Sequence, residues 1–108
     1  MYGTNLQARL GEEELLMIRT FVHKGLEKFF LTGSTAGIQT RQASKLRLIL
    51  GLLHRAKSIE DMNFHGSHLH ALKGDKKGFW SVRVNGNWRI IFRFESSHAD
   101  KVDYVDYH

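Results

Sequence analysis

Residues 78–95, GFWSVRVNGNWRIIFRFE, constrain the fold more than any other stretch of this sequence. Apolar and polar side chains alternate on both sides of Gly86, which is typical of two antiparallel strands joined by a tight turn. One face of such a hairpin must be buried by other parts of the chain. The segment therefore predicts an antiparallel sheet with one covered face and one polar face.

The loop length of this hairpin decides which side chains share a face. A three-residue loop, 85–87, places both apolar sets on one side of the sheet, whereas a two-residue loop would mix the faces. We therefore expect the longer loop. The pairs that follow are Val84 with Trp88, Val82 with Ile90 and Trp80 with Phe92. In this register Arg83 and Arg89 are opposite neighbours on the other face, with Arg93 further along.

Two helices are predicted before the hairpin. Residues 23–33 place three apolar side chains on one face and finish at Gly33, a residue that commonly ends helices. Residues 40–57 form the clearest helix, because apolar residues recur at spacings of three and four. That stripe consists of Ala43, Leu46, Ile49, Leu50, Leu53 and Ala56.

Three further strands are expected, over residues 17–23, 68–75 and 101–107. In the first, MIRTFVH, Ile18 and Val22 are predicted to share a face. The order of the elements predicts an α+β fold, with two N-terminal helices packed on one face of a curved, mostly antiparallel sheet. The other face is expected to stay partly open and to display arginines.

Composition narrows the classes of function. The 108 residues contain no cysteine, which excludes disulfides and thiol catalysis and fits a reducing cytosol. There is no run of 18 apolar residues and no basic segment followed by an apolar one, so we expect neither a membrane span nor a secretory signal. The net charge of +5 favours a polyanionic partner such as nucleic acid, and a basic surface without a specific partner explains it equally well.

The first sixteen residues differ from the rest of the chain. Residues 1–16 contain three acids, Glu12 to Glu14, and a single base, Arg9. We interpret them as an N-terminal extension of a domain over residues 17–108, for which Met17 is an alternative beginning.

The histidines allow two chemistries. His65, His68 and His70 lie close together, but cysteine is lacking and the carboxylates are scattered, so we predict no metal site and no cofactor. Cleavage of RNA by its own 2′-hydroxyl fits better, because it needs a base, an acid and cations for the charge on phosphorus. The residues alone also allow a plainer interpretation, in which His70 is an ordinary sheet residue and Tyr107 a core aromatic.

Three segments together resemble one protein family: MIRTFVHKGLEKFF, LHALKGDKKGFWSVRVNGNWRIIFRFE and the terminal VDYVDYH. From Met17 to His108 the chain resembles the HigB-type toxins of bacterial toxin–antitoxin modules, within the RelE/ParE superfamily. The resemblance implies the compact RelE-like fold. It also implies a cytoplasmic, ribosome-dependent endoribonuclease that cleaves mRNA in the ribosomal A site without a metal and inhibits translation.

The resemblance assigns six catalytic positions, in the motifs LHxLKG, NWRI and the final DYH: His70, Lys73, Arg89, Asp106, Tyr107 and His108. The two histidines are expected to transfer protons, with the acid as an alternative base or as the group that orients a histidine. The lysine and the arginine are expected to stabilise the transition state, and the tyrosine to stack on a base or bind the phosphate. The end of the last strand is therefore expected to be part of the active site.

Further cations are expected to hold ribosomal RNA or mRNA: Arg41, Lys45, Arg47, Arg55, Lys57, Lys76, Lys77 and Arg83. Five of them lie in the predicted helix 40–57, which contains no acid, and a merely solvated helix face explains this equally well. The implied partner is a helix-turn-helix antitoxin of the HigA type, which would neutralise the toxin and repress the operon. Operator DNA would be contacted only through that antitoxin.

Two other functions remain open. A ParE-like gyrase inhibitor would share the fold and act by binding. A non-catalytic nucleic-acid-binding protein or corepressor would use the basic face without turnover. The histidine-rich set that ends in DYH disfavours both.

Overall fold

The computed structural model describes residues 18–107. Two helices precede four strands, which form one sheet in the order β1-β2-β3-β4 with all neighbours antiparallel. The helices are α1 (Lys24–Thr32) and α2 (Ala43–Arg55), and the strands are β1 (His70–Ala71), β2 (Phe79–Asn85), β3 (Trp88–Glu95) and β4 (His98–Asp106). This architecture confirms the predicted α+β fold. The predicted extension 1–16 and the candidate catalytic His108 lie outside the described residues.

Both predicted helices are present, and the sequence explains their ends. The α1 helix begins where the Leu26 N–H donates a hydrogen bond to His23 Nδ1 at 2.9 Å, and it ends at Gly33, whose φ is 82°. The α2 helix begins later than predicted, because Thr40–Gln42 form a tighter 3₁₀ turn. Its predicted stripe is confirmed, since the inward positions Leu46, Ile49, Leu50 and Leu53 are buried.

The predicted strand at the start of the domain is wrong in its pattern. Residues 18–21 meet β4 in two isolated parallel bridges, Ile18 to Ala99 and Phe21 to Val102, and not in a regular strand. These two residues pack against the core three positions apart, whereas Val22 is 54% exposed. Strand alternation therefore fails here, because the chain rotates between its two contacts with the sheet edge.

The predicted strand 68–75 shrinks to β1, two residues long. His68 and Gly74 have φ values of 47° and 65°, which an extended strand cannot contain. A 3₁₀ turn, Gly74–Lys76, then leads into β2. The turn residues on both sides explain why pairing with β2 ends so soon.

The hairpin register is confirmed at most positions, but the predicted loop is wrong. Trp80 pairs with Phe92, Val82 with Ile90 and Arg83 with Arg89, as expected. The turn itself has only two residues, Gly86 and Asn87, and Asn85 rather than Val84 pairs with Trp88. A bulge at Val84 absorbs the extra residue, so both apolar sets still reach the same face.

The two faces of the sheet have different roles. Because side chains alternate along a strand, the helices cover the face that carries Trp80, Val82, Ile90, Phe92, Val102 and Tyr104. The other face, here called the arginine face, carries His70, Phe79, Ser81, Arg83, Arg89, Ile91, Arg93, Asp103 and Val105. Neither helix in the described part of the chain is long and apolar enough to cross a lipid bilayer.

Two glycines set how closely α1 approaches the loop that follows it. A β-carbon on Gly25 would lie 2.5 Å from the carbonyl oxygen of Gly37 and 2.8 Å from its α-carbon. Both obstacles are backbone atoms, which cannot move without displacing α1 or the loop. By contrast, the nearest atom to a β-carbon on Gly51, inside α2, would be Arg55 Nη1 at 3.5 Å, an ordinary contact.

These contacts predict opposite effects for two identical substitutions. Gly25→Ala should lower the free energy of unfolding by about 1–3 kcal/mol, the usual cost of overpacking. Gly51→Ala should raise it by about 0.5–1 kcal/mol, because alanine is the better helix former. Urea denaturation of the two variants and the parent chain measures both. Equal effects would contradict the close approach of the two backbones.

Candidate active site

His70 lies on the arginine face of β1, opposite Ser81 of β2. Its ring Nδ1 lies 2.9 Å from the His68 carbonyl oxygen. Since a carbonyl can only accept, Nδ1 must carry the proton, and the neutral ring then keeps its lone pair on Nε2. His68 adopts a φ of 47°, uncommon for a residue with a side chain, and this turn directs its carbonyl toward the ring. The exposed imidazole is thereby held in the tautomer that can accept a proton at Nε2.

Arg83 and Arg89 face each other across β2 and β3, as predicted. The Arg89 guanidinium donates hydrogen bonds from Nη1 to the carbonyl oxygens of Gly86 and Trp88, at 2.9 and 3.1 Å. These bonds fix the group beside the hairpin turn. Like charges on directly opposite residues of a sheet repel each other, so this arginine pair favours a nearby anion.

The end of β4 meets the same hairpin turn. The Tyr107 N–H donates to the Asn87 carbonyl oxygen at 2.8 Å, and the Tyr107 side chain is 44% exposed. Arg89 and Tyr107 are therefore anchored to neighbouring carbonyls of one turn. Asp106 pairs with Trp88, so it lies on the helix-covered face of the strand end, opposite to the arginine face.

A buried hydrogen-bond network fastens this strand end to the start of α2. The Tyr104 hydroxyl donates to Gln42 Oε1 and accepts from the Gln39 N–H at 3.3 Å. Its ring stacks on Trp88, with ring centres 4.4 Å apart. Burial raises the pKa of Tyr104 above its ordinary value, and the Asp106 charge adds to this, while the Gln39 N–H and Arg41 oppose it. Arg41 and Asp106 therefore both lie close enough to act on this hydroxyl.

The raised pKa of Tyr104 predicts a loss of stability in alkali. The folded protein holds this proton more tightly than the unfolded chain, so a rising pH favours the unfolded state. The free energy of unfolding should fall as the pH rises through about 10 and above, the ordinary range of tyrosine. Tyr104→Phe should show a smaller fall over the same range. Denaturant titrations of both proteins between neutral and alkaline pH measure the difference, and parallel curves would count against the burial of this proton.

The four strands place the predicted catalytic residues at unequal distances. His70 and Arg89 lie on the arginine face, two strand spacings apart across the sheet and two residues apart along the strand. This separation corresponds to about 12 Å between their α-carbons. The arginine pair lies between His70 and the Tyr107 end of β4. Lys73 is exposed and follows β1 by two residues. Four of the six predicted residues thus border one stretch of the arginine face, whereas Asp106 lies on its far side.

The other predicted cations fall into two groups. Arg83, Lys76 and Lys77 lie on or beside the arginine face, and Lys76 Nζ is 4.9 Å from the ring centre of Phe79. The helical set packs on the opposite side of the sheet with α2: Arg41, Lys45, Arg47, Arg55 and Lys57. One continuous RNA surface across both groups would have to pass around the sheet edge. Binding of RNA by either group remains a prediction.

Two polar groups on the arginine face were not expected from the sequence. Asp103 pairs with Ile91 in the row of residues that crosses the sheet from His70 through Ser81. The Ser81 hydroxyl is buried and makes no hydrogen bond within the described residues. The alternation of Asp103 with Val105 and Tyr107 could have placed it on this face. Within residues 18–107, no three histidine, aspartate or glutamate residues are grouped to hold a metal ion.

Comparison with known proteins assigns the chain to a protein family. A family model described as "RelE-like toxin of type II toxin-antitoxin system HigB" matches residues 19–108. The chain belongs to this HigB-like toxin family. It is also 39% identical over 92 residues to the Endoribonuclease HigB of Proteus vulgaris, an alignment that covers 85% of this chain and 100% of that protein. The expectation of an endoribonuclease toxin is thus confirmed.

Solved structures of related toxins share the fold of this HigB-like chain. The YoeB–YefM complex from Staphylococcus aureus matches with a TM-score of 0.57 and 19% identity, over 86% of this chain and 97% of that one. The YoeB/ParE toxin from Agrobacterium tumefaciens matches with a TM-score of 0.54 and 19% identity, over 85% and 98%. At this identity the likeness supports the RelE-like architecture alone.

The geometry at His70 predicts how two neighbouring positions differ. His70→Ala should lower the rate of RNA cleavage by about 10²–10⁴, because it removes a proton-transfer group. His68→Gly should retain most activity, since glycine adopts a positive φ easily and keeps the carbonyl. His68→Val should lose activity, because a β-branched residue disfavours that φ. Cleavage rates for the three variants test this, and an active His68→Val protein would show that the carbonyl does not orient the ring.

Proposed function

We propose that the protein is a metal-independent endoribonuclease that cleaves mRNA in the A site of the ribosome and so inhibits translation. The observation that carries this proposal is the placement of His70, with Nε2 available, on the same sheet face as the Arg83 and Arg89 pair. A base and two cations on one face of the sheet suit attack on a phosphodiester. The endoribonuclease activity of the family supplies the reaction class.

In this mechanism the 2′-hydroxyl of the RNA is the nucleophile. A base takes the 2′ proton as the 2′ oxygen bonds to phosphorus, and the bond from phosphorus to the 5′ oxygen breaks. An acid gives the leaving oxygen its proton, which leaves a 2′,3′-cyclic phosphate and a 5′-hydroxyl. DNA lacks the nucleophile and is therefore not cleaved.

The residues divide these roles by position. His70 Nε2 accepts or returns a proton beside the arginine pair, and His108 is the proposed partner in proton transfer. Arg89 and Arg83 stabilise the charge that develops on the phosphate oxygens, an effect worth about 10²–10³ in rate for a single lost donor. Lys73 adds to this charge, and Tyr107 stacks on a base or binds the phosphate. Asp106 lies on the helix-covered face of the strand end, and its proposed role is to orient a histidine or to serve as the alternative base.

The proposed partner is a helix-turn-helix antitoxin of the HigA type. The family description places this chain in a toxin–antitoxin system, and the YoeB of Staphylococcus aureus forms a complex with YefM. An antitoxin that binds DNA would place the toxin on operator DNA only indirectly. The helical cations and the lysines after β1 would contact ribosomal RNA.

In vitro translation of a defined mRNA, with primer extension to map cuts, tests the proposed function. The wild-type protein should cut at codons that are being read, and it should not cut the same mRNA without ribosomes. His70→Ala should abolish the cuts. Lys24→Ala is the matched control, because it removes an exposed cation of α1 far from the arginine face and should cut normally.

Any other result of this translation experiment would indicate a different function. Cuts in naked mRNA would overturn ribosome dependence while leaving the nuclease in place. No cuts with translation intact would overturn the nuclease and lead to a gyrase assay. Inhibited translation without cuts would indicate a protein that acts by binding.

A further inference from the structure

An open cavity lies at the end of the arginine face furthest from the hairpin turn. Its volume is about 360 Å³, and its lining consists of Lys77, Gly78, Phe79, Arg93, Phe94 and Glu95. Phe79 and Arg93 are directly opposite each other in the register of β2 and β3. Neither belongs to the predicted catalytic set.

The groups around the cavity hold Arg93 in place. Its Nη2 lies 3.4 Å from Glu95 Oε1, and its Nε lies 3.6 Å from Asp100 Oδ1. These two carboxylates offset much of the positive charge of the guanidinium, which makes its end of the cavity a poor site for a bare phosphate. The Phe79 ring remains suited to stacking on a planar base.

Two lysines lie close to Phe79. Lys76 Nζ sits 4.9 Å from the Phe79 ring centre, and Lys77 lines the cavity directly. These ammonium groups favour an anion beside the aromatic ring. The cavity thus combines an aromatic ring with phosphate-binding groups close to it, which is the pattern of single-stranded nucleic acid sites.

The cavity is also close to the proposed site of cleavage. Phe79 and Ser81 point to the same face of β2, about 7 Å apart along the strand. Ser81 is the residue that His70 faces. A nucleic acid strand on the arginine face that places one phosphate near His70 therefore brings an adjoining nucleotide to Phe79.

We infer that this cavity binds one unpaired RNA nucleotide next to the cleaved bond, with its base stacked on Phe79 and its phosphate on Lys76 and Lys77. The inference rests on the proposed ribonuclease function. The nucleotide comes either from the mRNA or from ribosomal RNA, since the two have the same chemistry. Its role is to position the substrate, so its loss should weaken binding more than the chemical step.

Kinetics of mRNA cleavage on ribosomes test the stacking surface. Phe79→Leu should raise KM about five-fold or more, the effect of losing one stacked base, while kcat changes less than about two-fold. Phe79→Trp should restore KM, because it retains an aromatic face. Phe21→Leu is the matched control, since it removes a similarly half-buried ring on the other side of the sheet. A KM for Phe79→Leu equal to that of Phe21→Leu, or no rescue by tryptophan, overturns the inference.

Photocrosslinking tests the cavity without requiring cleavage. A photoreactive phenylalanine analogue at position 79 should crosslink to RNA when the His70→Ala protein is bound to programmed ribosomes. Crosslinks to mRNA or to ribosomal RNA both support the site and identify its source. Crosslinks to protein alone overturn it. If the wild-type protein cuts no mRNA, the proposed function fails, and this second experiment still decides whether the cavity holds RNA.

Discussion

Strand alternation in the β2–β3 hairpin is the constraint on which the rest of the structure depends. The even-numbered residues of β2 up to Val82 and of β3 from Trp88 to Phe92 face the helices, and the odd-numbered residues of the same stretches face the other way. A slip of one residue would exchange the two sets, burying arginines and exposing the core. Burial of the even set therefore also fixes the arginine face. The bulge at Val84 matters for the same reason, because it allows a two-residue turn without changing the register beyond it.

Tyr104 connects this constraint to the end of the chain. Its ring is part of the core and stacks on Trp88, while its hydroxyl bonds Gln42 and Gln39 at the start of α2. Removing either partner would leave a buried polar group unsatisfied, which usually costs about 1–3 kcal/mol. Tyr104 thus connects the end of β4 to both the sheet and the helices, two residues before Asp106.

The sequence predicted best those elements in which one pattern decided the outcome. The stripe of α2 and the pairing of Arg83 with Arg89 follow from periodicity alone, and both are confirmed. Residues 18–22 were mispredicted because β-branched residues alternate there by chance, while the contacts that hold Ile18 and Phe21 come from β4, far away in the chain. The predicted strand over residues 68–75 was wrong for a local reason. The residue type histidine does not reveal that position 68 adopts a positive φ.

For the candidate site, the sequence predicted which side chains take part but not how they are oriented. Motifs named the side chains, but backbone carbonyls position them: His68 for His70, Gly86 and Trp88 for Arg89, and Asn87 for Tyr107. Every residue has a backbone carbonyl whatever its side chain, so no sequence pattern predicts these hydrogen bonds. Only the fold shows that Asp106, adjacent to Tyr107 in sequence, lies on the other side of the strand. Exposed groups held by main-chain bonds need few packing contacts, and this explains how β1, only two residues long, can still present His70 in one defined tautomer.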